Sequence, residues 1–152
     1  MSQKDDDMLK NHVLHIVKSL ENGCYSKDNL EVRQDDSLEG GQFYIANIEN
    51  DNILDDEFFN TELEAKEYLE QSPGDMVSAY DYLQDALDIE YIVSSNKEYL
   101  GARVLVAFGG PNIWINTRTQ QVEGYWWGSQ SIWSYHEDAM GLDDALQDLY
   151  SC

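Results

Sequence analysis

Asp81, Asp85 and Asp88 stand at i, i+4 and i+7 of an amphipathic segment, the spacing that lines carboxylates along one face of a helix. Four helical residues rise about 6 Å, of the order of the phosphate spacing along a nucleic-acid strand, so such a row suits lysine and arginine sites built for phosphates. An ordinary solvated helix face has the same pattern. Asp144 and Asp148 repeat the i, i+4 spacing near the C-terminus, and Glu64, Glu67 and Glu70 approach it with Lys66 partly offsetting them. Loop-like stretches add Asp35, Asp36 and Glu39, and then Asp51, Asp55, Asp56 and Glu57. The stretch 49–57 lacks the glycine and the Asp/Asn ladder of an EF-hand loop, so weak cation condensation is expected there rather than specific calcium binding.

Other chemistries find less support. His12 and His15 lie three apart on a helical pattern, compatible with two metal ligands, but no third His or Cys has a motif-like relation to them. His136 has no Ser or Cys nucleophile in a recognisable elbow. Gly109–Gly110–Pro111 follows an apolar strand but lacks the Lys-Ser/Thr and helix start of a phosphate loop, so it reads as a tight strand connection. Cys24 and Cys152 have no metal-type spacing and are expected as free thiols. The sequence therefore predicts no catalytic residue, no metal and no cofactor. An enzyme using paired carboxylates would need a shared cleft and shifted pKa values, which a sequence does not display.

Thirty acidic residues stand against nine basic ones in 152, a formal net charge of −21. A compact domain of this length is about 38 Å across by size scaling, and twenty-one charges correspond to about 36 Å of duplex DNA. The agreement is the electrostatic condition for occupying a basic nucleic-acid-binding surface, and it disfavours direct binding of nucleic acid. Simple solubility is the competing meaning of the same charge. Apolar residues at 42% and aromatics at 12% suffice for a core and argue against disorder.

Aromatic residues concentrate late in the chain, at Trp114, Tyr125, Trp126, Trp127, Trp133 and Tyr135. Strand alternation would put Trp126 and Trp127 on opposite faces, one toward the helices and one outward as an interface anchor. The outward one would be covered instead if Trp133, Tyr135 and the last helix folded over it.

The elements that must position these groups follow from periodicity. Leu9, Val13, Ile16 and Leu20 predict a helix over 6–22, with Asp5, Asp6 and Asp7 at its positive end. Strands are expected around Leu30 and Val32, at 42–48 and at 53–59. Thr61 with Glu64 forms a capping box for a second helix. A third helix is expected from Pro73 or Asp75, burying Met76, Tyr80, Leu83 and Leu87. Residues 89–94, 102–108, 112–116 and 121–127 read as a four-stranded meander, and Leu142, Ala145, Leu146 and Leu149 as a final short helix entered through Glu137 and Asp138. The expected fold is α+β: an antiparallel, twisted sheet of four to six strands with about four helices, mainly packed on one face, in a single domain over 1–152 with residues 1–5 loose. The polar N-terminus and the lack of a long apolar stretch point to a cytoplasmic protein with no membrane partner. A homodimer is compatible with the sequence.

In charge and size the chain resembles the acidic inhibitor proteins that phages and mobile elements use against restriction and CRISPR nucleases. It is also similar in these respects to bacterial immunity proteins that neutralise basic nuclease toxins. The first resemblance implies a non-enzymatic, DNA-mimicking protein that blocks a nucleic-acid-binding channel, with a nuclease or other DNA-binding protein as partner. The second implies a protein-interaction module led by an exposed aromatic surface. The resemblance rests on no motif, so it carries over no individual residue. Spacing alone nominates Asp81, Asp85, Asp88, Asp144, Asp148, Asp35, Asp36, Glu39, Asp55, Asp56 and Glu57 for partner binding, and strand alternation adds Trp126 and Trp127.

Overall fold

The computed structural model describes residues 3–36 and 41–152. These residues form an α+β architecture with antiparallel sheets of two, three and five strands. No described helix is long and apolar enough to cross a membrane. Contacts group the chain into two compact units, Met1–Cys24 with Val77–Cys152, and Tyr25–Met76. The second unit is inserted in sequence between the two parts of the first.

In the first unit, α1 (Gln3–Asn22) buries Leu9, Val13, Ile16, Val17 and Leu20 at helical spacing. It starts three residues earlier than expected, so residues 3–5 are helical rather than loose; residues 1 and 2 lie outside the described residues. Asp5 and Asp6 occupy its first turn, where the positive end of the helix dipole favours acids.

The five-stranded sheet of this unit is a meander of β6 (Asp88–Val93), β7 (Tyr99–Ala107), β8 (Asn112–Asn116), β9 (Gln121–Trp126) and β10 (Ser129–Ser134), each paired with the next. Four strands were expected. The fifth exists because Trp127 and Gly128 make a two-residue turn that pairs Ser129 with Trp126 and Trp133 with Val122. Its serines and glutamine conceal the period-2 signal, since neither face of β10 is consistently apolar.

One face of the sheet meets α1, α3 (Ala79–Gln84) and α4 (Leu142–Ser151). Val104, Ile113, Ile115 and Val122 interlock there with Leu9, Val13, Leu142 and Leu146. Tyr135 is buried in the same core, so it covers the helix face and not the opposite one. Trp133 is partly exposed on that helix-bearing face, with Lys10 Nζ 5.2 Å from its ring centroid. On the opposite face Arg103 lies 4.3 Å over the Trp114 ring and pairs with Glu123 at 3.2 Å and Glu90 at 3.6 Å.

The second unit holds β2 (Leu30–Gln34), β3 (Phe43–Asn47) and β4 (Ile53–Phe59) in that spatial order, with α2 (Glu62–Gln71) over a core of Leu30, Ile45 and Leu54. Thr61 caps α2 by accepting from the Glu64 N–H at 3.2 Å. Two short strands, β1 (Tyr25–Ser26) and β5 (Asp75–Met76), pair where the chain enters and leaves this unit.

That last pairing corrects the third helix. Asp75 and Met76 are strand residues, and α3 starts only after Ser78, whose hydroxyl accepts from Asp81 N–H at 3.1 Å. Six residues later it stops, and Leu87 N–H already bonds to Leu105 O beside the sheet. Of the four residues expected to be buried by a long helix, Leu83 alone is; Met76, Tyr80 and Leu87 are exposed.

Candidate protein-interaction surface

The short α3 disperses the nominated acidic row. Asp81 lies in the first turn of α3, Asp85 is its C-cap and Asp88 opens β6, so the three carboxylates do not share a helix face. All three are exposed. The i, i+4 rule needs continuous helix between its members, and the switch to strand at Asp88 removes it.

Asp144 and Asp148 do lie on one helix. Both line a cleft of about 630 Å³ between α3 and α4, whose remaining walls include Ala79, Tyr80, Met140 and Gly141. The Tyr80 hydroxyl donates to Asp148 Oδ2 at 2.7 Å, fixing one carboxylate at the cleft. On the residue before Asp144, the Asp143 carboxylate accepts from the Tyr99 hydroxyl through Oδ1 at 2.5 Å. Burial, and then this bond, push the Tyr99 phenol well above its ordinary pKa; the hydrogen bond to Asp148 raises that of Tyr80. A raised phenol pKa keeps the proton on tyrosine, so each hydroxyl stays a donor.

The frame behind these groups depends on Asp138. Its two carboxylate oxygens accept from Leu142 N–H at 2.7 Å and Asp143 N–H at 3.0 Å, holding the start of α4 from four and five residues upstream. This realises the expected entry through Asp138.

In the second unit Asp55, Asp56 and Glu57 sit on β4 where one residue of β3 faces a four-residue excursion between the pairs Ala46–Ile53 and Tyr44–Phe58. Asp55 and Asp56 both have φ of 54°, a conformation aspartate tolerates better than most residues. Tyr68 on α2 donates to Asp55 Oδ2 at 2.5 Å, a third tyrosine-held carboxylate. Asp35 and Asp36 follow β2, whereas Glu39 lies outside the described residues.

Trp126 and Trp127 separate as expected, for a different reason. Trp126 ends β9 and packs partly buried against the helix-face core. Trp127 belongs to no strand: it is the first turn residue of the β9–β10 hairpin, 82% exposed, with φ of 52° followed by Gly128 at 84°. A shallow cleft of about 230 Å³ lies beside it, lined by Gly110, Asn112, Tyr125 and Gln130 among others. Phe108, at the end of β7, is 72% exposed at the same end of the sheet. The nomination missed Phe108, Tyr80, Tyr99 and Asp143. A phenylalanine followed by Gly-Gly-Pro was the available signal for the first, since a strand that ends in such a turn leaves its last side chain at the sheet margin.

His12 lines a small cleft with Ile16, Tyr82 and Asp85, while the His136 backbone N–H donates to Glu21 Oε2 at 2.9 Å. Among the described residues no three His, Cys, Asp or Glu side chains converge as a metal site. Cys24 and Cys152 are free thiols. No protein family, characterised protein or solved structure matches this chain.

Proposed function

We propose that the protein is a non-catalytic, acidic binding protein whose carboxylates engage the basic, nucleic-acid-binding surface of a protein partner and so act as a DNA-mimicking inhibitor. One observation carries the reading: thirty acidic residues meet nine basic ones, and no described carboxylate is buried. Even complete one-to-one pairing with every lysine and arginine would leave twenty-one carboxylates. Their field speeds encounter with a cationic surface and weakens with salt.

The α3–α4 cleft supports a defined contact within that field. Asp144 and Asp148 are one helical turn apart, and Asp148 is held by Tyr80, which lowers the ordering cost of receiving an arginine or lysine. The immobilised protein, exposed to a bacterial lysate at low salt, should retain DNA-binding proteins that duplex DNA or high salt releases. A purified retained nuclease should lose activity on addition of the protein, and the double variant Asp144→Asn, Asp148→Asn should inhibit about tenfold less well while unfolding at the same denaturant concentration. Retention that ignores both salt and DNA would overturn the mechanism.

A further inference from the structure

Trp127 combines two features that each work against folding. A non-glycine residue at φ of 52° adopts the left-handed region that Asn, Asp or Gly fill far more readily in two-residue hairpin turns. Its indole, 82% exposed, gains almost no packing in return. Of the described non-glycine residues with positive φ, Asp51, Asp55, Asp56, Lys97, Gln120 and Trp127, the tryptophan alone carries a large apolar side chain, so the turn accounts for the others but not for an exposed indole. The neighbourhood repeats the exposure, without the strain. Leu87, 60% exposed ahead of β6, and Phe108 at the end of β7 lie at the same end of the sheet. With strands about 4.8 Å apart, the order β10-β9-β8-β7-β6 spreads Trp127, Phe108 and Leu87 over about 15 Å of sheet margin, the scale of an interface hot spot.

The charge around this margin selects its occupant. Asp6 on α1 accepts from the Ser129 hydroxyl at 2.6 Å, immediately beyond the hairpin turn, and Asp88 opens β6 next to Leu87. A second copy of the chain would bring another net −21 against these acids.

We infer that the hairpin tip is an anchoring site that inserts Trp127, with Phe108 and Leu87 beside it, into an apolar pocket rimmed by lysine and arginine on a partner protein. The inference rests on the acidic-binding reading and adds to it an apolar determinant: charge brings the partner in, and the tip sets which basic surface is held.

Two labelled synthetic peptides of equal length and equal positive charge test it, one built from lysine and serine, the other from lysine, leucine and phenylalanine. The native protein should bind the apolar-containing peptide at least tenfold more tightly. Trp127→Asn, a residue suited to the turn, should abolish that preference, leave affinity for the lysine–serine peptide unchanged and raise the melting temperature. Equal affinity of the native protein for both peptides, or a preference that survives Trp127→Asn, overturns the tip inference while leaving the acidic reading in place. Failure to bind either peptide at low salt overturns both. A lowered melting temperature in Trp127→Asn would show that the fold needs Trp127 and would remove the strain argument.

Discussion

At Gly124 strand β9 passes directly against Val13 and Leu9 of helix α1, and replacing it by alanine tests the packing between helix and sheet in the first unit. A Cβ built there would lie 2.6 Å from Val13 Cγ2 and 2.9 Å from Leu9 Cδ1, against an optimum of about 3.5–4.0 Å between carbons. Val13 is stiff about χ1 in a helix, and both residues are essentially fully buried, so neither methyl can swing into open space. The helix must retreat by several tenths of an ångström along a face that buries five side chains. Overpacking of this kind costs about 1–3 kcal/mol. Val13→Ala alone removes two methyl groups from the core and costs about 1–3 kcal/mol by transfer and cavity terms. Combined with Gly124→Ala it removes the shorter overlap, so the double variant should lose about 1 kcal/mol less than the sum of the two single changes. Urea unfolding of all four proteins, with unchanged denaturant slopes, measures the cycle. Additive losses, or a Gly124→Ala variant as stable as the native protein, would refute the claim that this glycine exists to admit α1. Retreat of α1 would also draw Asp6 away from Ser129, coupling this contact to the hairpin tip.

Two further predictions concern the buried tyrosines of the first unit and the start of α4. Burial pushes the Tyr82 phenol up to about 12 and raises those of Tyr99 and Tyr135 as well, the ordinary value being 10.0. Because the folded state holds the proton more tightly, the stability from these groups is fully present below pH 10 and is lost as pH rises toward 12 and beyond. Urea titrations at increasing pH, followed with tyrosinate absorbance, should show stability falling as these phenols ionise, and Tyr82→Phe should flatten the decline between pH 10 and 12; a native protein with constant stability over that range would contradict the burial argument. Asp138→Ala removes both acceptors at the start of α4 and should cost about 1–2 kcal/mol in thermal unfolding, with weakened inhibition from the disturbed cleft, whereas a loss below about 0.3 kcal/mol would show that α4 is held from elsewhere.

Local signals made much of this protein legible in advance. The apolar period of α1, the Thr61 cap of α2, the Leu142, Ala145 and Leu146 stripe of α4, and strands β2 to β4 and β6 to β9 all follow from patterns a few residues long, because burying one face of a helix or strand imposes its own period on the sequence. Net charge is likewise a property of composition, independent of any fold. What failed had distant causes. The segment after Pro73 has a plausible helical stripe, yet Asp75 and Met76 pair with Ser26 and Tyr25, and Leu87 is drawn to Leu105, so α3 keeps only the residues between those partners. The acidic row at Asp81, Asp85 and Asp88 disappeared with the helix that was to carry it. Trp127 looked like a strand residue because its neighbours are aromatic, until pairing of Ser129 with Trp126 made it a turn. The sequence by itself determined the charge and the helix and strand periods, since these depend on residue types and their immediate spacing. Tertiary structure alone decided which carboxylates meet tyrosines, where α3 ends and which tryptophan stands in solvent, because each depends on a partner brought close only by folding.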